Sequence, residues 1–187
     1  MRIEKLLAGW LLALVVLCGC GGDAPSAGDL PESVPPAAKD AAVRTAHFPT
    51  FELSVPEGWT ERGNTCRLFE GENGFLLVCP LEDGTGMEQP LQSLCEQLLA
   101  QQLELFYNTD YYAGQVRFDY TEYETDAQGR NRVSGTLHNG KTGDEVSFCG
   151  AYFAEPGCCF VYFRHGESDA AEVRAFREVS YDSFRTL

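Results

Sequence analysis

Residues 159–163 read Cys-Phe-Val-Tyr-Phe, apolar at every position and rich in aromatic and β-branched side chains. Such a run reads as a strand, because these residue types suit a pleated, buried surface. Successive strand side chains point to opposite faces. A strand with no polar face must lie centrally, or be covered on its second face. The chain therefore has to supply covering elements, and their pattern can be sought upstream and downstream.

Most other strand signals alternate. Phe51-Glu52-Leu53-Ser54-Val55 reads as half-buried, and Pro56-Glu57-Gly58 ends it before Trp59. Residues 66–69 and 75–79 flank Gly71-Glu72-Asn73-Gly74, which is a hairpin signal. Pro90 opens a helix, where a missing N–H costs nothing. Leu91, Leu94, Cys95, Leu98, Leu105 and Phe106 recur at helical spacing, and the helix is expected to end near Asn108. A four-strand meander follows. Val116, Phe118 and Tyr120 alternate with polar residues, and Asp126-Ala127-Gln128-Gly129 turns the chain. Val133, Gly135 and Leu137 alternate again up to Asn139-Gly140. Val146 to Phe153 and Cys159 to Phe163 form the last pair, joined through Pro156-Gly157. Asp169 and Glu172 make a capping-box pattern for a final helix, with Val173, Phe176, Phe184 and Leu187 on its apolar side. The expected fold is α+β: an antiparallel sheet, hairpin plus four-strand meander, with two helices packed on it.

The N-terminal segment has a different character. Arg2 and Lys5 precede an apolar run from Leu6 to Leu17. That run falls short of the roughly 20 residues a spanning helix needs. It ends in Leu17-Cys18-Gly19-Cys20, which resembles the lipobox of bacterial lipoproteins; Cys18 stands where Ala or Ser is usual. The resemblance implies a signal peptide over residues 1–19, diacylglyceryl transfer to the Cys20 thiol, and cleavage between Gly19 and Cys20. The chain would then be held at the extracytoplasmic face of a bacterial membrane by acyl groups worth about 0.8 kcal/mol per buried CH₂. Residues 20–46 are expected to be the lipidated cysteine and a linker, since they carry Pro25, Pro31, Pro35 and Pro36, many alanines and few large apolar residues. Residues 47–187 remain as one domain with a real core.

The domain's opening Phe51-to-Trp59 corner and its closing Ser183-Phe184-Arg185 resemble the PsbP-like fold, which includes an extrinsic photosystem II subunit and many bacterial lipoproteins. The resemblance implies binding or assembly modules with no shared active site. Trp59 is expected at the sheet edge and Phe184 between helix and sheet. No functional residue carries over.

Charge limits the partners. The formal net charge is −14, and removal of residues 1–19 takes away two basic residues and one acidic one. Nucleic-acid binding rests on Lys and Arg meeting phosphates, so nucleic acid is not an expected partner. Membrane attachment falls to the lipid on Cys20.

Six cysteines lie in the domain, and an exported chain permits disulfides. If Glu72-Asn73 is a two-residue turn, Cys66 faces Cys79 in a non-hydrogen-bonded pair, with Cα atoms about 4.5 Å apart. That is near the lower limit for a disulfide. If Asn73-Gly74 is the turn, the two sit diagonally on one face and bonding is less favoured. Cys95, Cys149 and Cys159 sit on apolar stripes or within strands, where a thiol acts as a small hydrophobe. No Cys-x₂₋₄-Cys spacing occurs, so neither a metal nor a cofactor is expected. Cys158 and Cys159 are adjacent and should point to opposite faces.

Other chemistry is sparse. His47, His138 and His165 lie far apart. Glu122 and Glu124 share a strand face, an arrangement that can serve glycoside hydrolysis but more often faces solvent. No nucleophile elbow, phosphate loop or dinucleotide fingerprint is present. Tyr111 and Tyr112 are consecutive, so one should face water beside acidic residues and could meet a peptide or glycan. The reading is a membrane-tethered envelope protein that binds or assembles with another protein or peptide. The alternative is a small extracytoplasmic thiol enzyme using Cys149, Cys158 and Cys159.

Overall fold

A computed structural model describes residues 42–81, 89–108, 110–166 and 170–187. The lipobox, Cys20 and the linker up to residue 41 lie outside the described residues, as does the expected cap Asp169. The fold is α+β, with two helices packed on a three-stranded and a seven-stranded antiparallel sheet.

The chain opens with β1 (Val43–His47) and β2 (Phe51–Pro56), which pair antiparallel. The hairpin follows as β4 (Arg67–Gly71) and β5 (Gly74–Pro80), with β3 (Thr60–Arg62) added at its edge. Helix α1 (Leu91–Phe106) comes next. The meander is β6 (Val116–Thr125), β7 (Asn131–Asn139), β8 (Glu145–Phe153) and β9 (Cys158–Arg164). Helix α2 (Ala170–Ser183) and the two-residue strand β10 (Arg185–Thr186) close the chain. The large sheet has the order β3-β4-β5-β9-β8-β7-β6.

This order puts β9 in the middle, as its two-sided apolar pattern requires. Residues 158–163 are all buried. Cys158, Phe160 and Tyr162 join one core cluster, with β2 and residues of α2. Cys159, Val161 and Phe163 join the other, with Cys95, Leu99 and Leu103 of α1. Period-two alternation thus divides one strand between two cores. Trp59 packs edge-on against Tyr162 and Phe176, at 6.1 and 5.9 Å between centroids. Gly71 makes room for it: a Cβ there would lie 2.3 Å from the indole nitrogen.

Four expectations need correction. The folded region begins inside the segment expected to be linker, because Val43–His47 pair residue for residue with β2. Only Ala46 of β1 is buried, so its stability comes from ladder hydrogen bonds and not from an apolar run. The last helix stops at Ser183. Beyond it, Arg185 and Thr186 pair with Glu52 and Phe51. Phe184 leaves the helical path and stacks on Phe153 and Phe51, at 4.2 and 5.3 Å. Leu187 is exposed, so it is not on an apolar helix side. Leu105 is also exposed; the buried stripe of α1 runs through Cys95, Leu99 and Leu103. Finally, β6 is longer than its alternation suggests. Its register shifts between Tyr120 and Glu122, the mark of a β-bulge.

Candidate functional site

A cleft of about 480 Å³ opens at the end of the large sheet, where β5, β7, β8 and β9 meet the exit of α1. Its floor is aromatic. Phe75 of β5 stacks on Phe163 at 4.8 Å, tilts against Tyr107 at 5.2 Å and meets His165 at 5.7 Å. Tyr111 adds a further ring, 5.8 Å from Tyr107. The rim is acidic: Asp110, Asp144 and Glu145 line it, with Arg164 opposite in charge.

Local hydrogen bonding places these groups. After α1 the chain turns tightly, with the N–H groups of Asp110 and Tyr111 donating to the Tyr107 carbonyl at 2.7 and 3.4 Å. Asn139, almost fully buried, donates its side-chain amide to the Asp110 carbonyl at 2.8 Å. Its backbone N–H donates to the Asp144 carbonyl at 2.9 Å, which closes the β7–β8 connection. One buried asparagine, through its side-chain amide and its backbone N–H, therefore ties both acidic segments together. Buried polar groups need such partners. Tyr107 donates its hydroxyl to Glu70 at 2.8 Å. Burial pushes the Tyr111 phenol up, and the charges of Asp144 and Asp110 add to that. Burial and Glu70 do the same for Tyr107. Both phenols stay protonated at neutral pH.

The cleft combines ring faces with carboxylates. Aromatic faces attract cations, and the carboxylates add Coulomb attraction. The arrangement suits a basic side chain. Of the two tyrosines singled out in the sequence, the structure places Tyr111 in this cleft, half-buried. Tyr112 is exposed, with its ring beside Gly114 and not among the cleft residues. Tyr107 belongs to the same aromatic run as Tyr111, but Phe75, Asp144 and Glu145 were not singled out, because separate connections bring them to it.

The cysteines occupy the interior. All six in the described region are free and buried. The turn residues are Glu72-Asn73, since Gly71 pairs with Gly74 and Arg67 with Val78. One step further along that register, Cys66 comes opposite Cys79. Cys79 in turn pairs with Cys159 of β9. Cys149 and Cys158 lie in the opposite core, so Cys158 and Cys159 do diverge. Among the described residues no group of three or more His, Cys, Asp or Glu is arranged to hold a metal ion.

The remaining candidates are engaged in packing. Glu122 accepts from Arg177 and Ser134, at 2.6 and 2.9 Å. Burial would raise its carboxyl, but Arg177 and Ser134 hold it below the usual range. Glu124 is exposed on the same strand. His47 lies 2.9 Å from Glu52, and His138 bridges Asp119 and Glu145.

No protein-family model matches the chain, and no curated protein is significantly similar to it.

Proposed function

We propose that this protein is an extracytoplasmic lipoprotein, tethered through Cys20, whose PsbP-like domain binds a protein or peptide partner in the bacterial envelope. The observation that carries the binding role is the cleft: Phe75, Tyr107 and Tyr111 beneath a rim of Asp110, Asp144 and Glu145. Its chemistry favours a partner segment that presents a lysine or arginine side chain. The lipobox pattern supports the tether, and the acidic composition supports a need for one. Among the described residues, no helix is long and apolar enough to cross a membrane.

The test is a photo-crosslinking amino acid placed at Tyr111 in intact cells. A control goes at Gln128, at the far end of β7, about 25 Å away for a strand of that length. We expect a discrete adduct from position 111 that is lost in Asp144→Asn. Equal adducts from both positions, or none from position 111 at native expression, would overturn the reading. Cys20→Ala should move the protein out of the membrane fraction.

A further inference from the structure

Four of the buried thiols form a continuous row. Cys66, Cys79 and Cys159 occupy one register line across β4's entry, β5 and β9. All three side chains face α1, and Cys95 of α1 comes down upon them in the same core cluster. Cys79 and Cys159 are direct partners across β5 and β9, Cys66 comes opposite Cys79 one step beyond the β4–β5 register, and Cys95 shares their core cluster. Three of the four are fully buried. Cys66 is 9% exposed and lines a groove of about 690 Å³ between α1 and the hairpin, so it is the end open to solvent.

We propose that this row is a dithiol–disulfide relay that gives up four electrons, two to each of two disulfide oxidants entering at Cys66, and stores the oxidation as Cys66–Cys79 and Cys95–Cys159. A row of four neighbours pairs completely only at its two ends. A bond in the middle, Cys79–Cys159, would leave Cys66 and Cys95 alone.

The oxidant required is a disulfide, either a small molecule or an exported protein. The Cys66 thiolate attacks one sulfur of it, forming a mixed disulfide and releasing a thiol. Cys79 attacks the Cys66 sulfur, so Cys66–Cys79 forms and the second thiol leaves with a proton. Cys159 then attacks Cys79, making Cys79–Cys159 and returning Cys66 to its thiol. Cys95 attacks Cys159, giving Cys95–Cys159 and a free Cys79, which takes the proton Cys95 gives up. Cys66 and Cys79 can now react with a second molecule of oxidant. Each step exchanges one S–S bond for another, as thiol–disulfide exchange does.

Contacts from Cys79 and Cys95 draw the Cys159 thiol below the ordinary thiol range, against the effect of burial. Burial and the contacts with Cys159 and Cys66 push Cys79 up. The contact with Cys159, together with burial, pushes Cys95 up. These shifts belong to the fully reduced row; once Cys66–Cys79 forms, Cys79 has no thiol left to donate to Cys159, so the inward order rests on the register line and on Cys66 being the end open to solvent. Cys149 and Cys158 lie beyond the sheet and take no part.

The full chain, reduced and freed of reductant, is titrated with glutathione disulfide, alkylated and mapped without reduction by mass spectrometry. With excess oxidant we expect Cys66–Cys79 and Cys95–Cys159 in the same molecule, with Cys149 and Cys158 alkylated only after unfolding. Cys66→Ala should slow the loss of the Cys95 and Cys159 thiols at least tenfold, while Cys149→Ala leaves the rate unchanged. Should Cys66→Ala not fold, the parent protein gives the same answer. Under native conditions maleimide should label Cys66 at least tenfold faster than Cys79, Cys95 or Cys159. An end state holding only Cys79–Cys159, equal oxidation rates with and without Cys66, or uniform labelling would overturn the relay.

Discussion

On one face of the large sheet α2 is fastened by polar bonds, while on the other α1 lies over an apolar layer that contains the thiol row. Ser180 of α2, fully buried, donates to the Ser54 carbonyl at 2.6 Å and bonds the Tyr162 hydroxyl at 2.7 Å. Ser54 returns a backbone N–H to Ser183 at 2.7 Å. Arg177 pairs with Glu122 of β6, and Tyr181 donates to Asp126 at 2.6 Å beneath the guanidinium groups of Arg130 and Arg132. These bonds fix α2, the small sheet and the meander in one arrangement. The α1 face has Cys95, Leu99 and Leu103 against β-sheet side chains, and both the cleft and the groove open beside it. Directional bonds specify a unique arrangement. Apolar contacts tolerate adjustment. The face on which both the proposed cleft and the proposed relay open is the one with fewer directional constraints.

Apolar truncation should not distinguish the two faces. Phe184→Ala removes a ring stacked between Phe153 and Phe51 and should cost about 3–5 kcal/mol. Leu99→Ala should cost about 2–5 kcal/mol for the cavity it leaves under α1. Urea unfolding measures both. A much smaller cost for Leu99→Ala would mean that the α1 face collapses around the gap and is looser still.

Polar truncation should distinguish them. Ser180→Ala leaves the Tyr162 hydroxyl and the Ser54 carbonyl without that partner in the interior, which costs about 1–3 kcal/mol. Cys95→Ala removes one sulfur from an apolar layer, at about 1 kcal/mol. If Cys95→Ala proves the costlier, the thiol row itself holds α1, and the contrast between the faces fails.

The two faces also differed in how far they could be read from sequence. Strand spacing made Cys158 and Cys159 legible as facing opposite ways, whereas the β5–β9 pairing was needed to put Cys159 on the face of Cys66 and Cys79 and Cys149 on the other. The hairpin register made Cys66 opposite Cys79 legible as one of two options. That Cys95 would complete the row depended on how α1 crosses the sheet, which no local pattern encodes. The α2 face was less legible. Ser180, Ser54 and Tyr162 lie far apart in the chain, and a serine on a helix usually signals solvent. Strand β1 escaped notice because Val-Arg-Thr-Ala-His buries little, and β10 because two exposed residues show no periodicity. Of the cleft, Tyr111 stood out by type; Asp144, Glu145 and Phe75 are brought to it by the β5–β9 and β7–β8 pairings.

The smallest expected effect concerns acid. Desolvation would raise the Asp126 carboxyl, but Tyr181, together with the Arg130 backbone and guanidinium and the Gln128 N–H, holds it well below the usual aspartate range. Glu122 is shifted the same way by Arg177. A folded-state value below the unfolded one means that the unfolded chain binds protons first as pH falls. The stabilisation is therefore complete above the ordinary aspartate value of about 3.9 and is lost as pH drops through the folded value beneath it. Asp126→Asn should lower the urea midpoint by a constant amount between pH 7 and pH 5, with the gap from the parent protein narrowing below about pH 4. Both shifted carboxylates serve the α2 face. A gap that stays constant down to pH 3 would show that the Tyr181 bond, and not the charge, carries the effect of Asp126, and would move the acid sensitivity of this face onto Glu122 and Arg177.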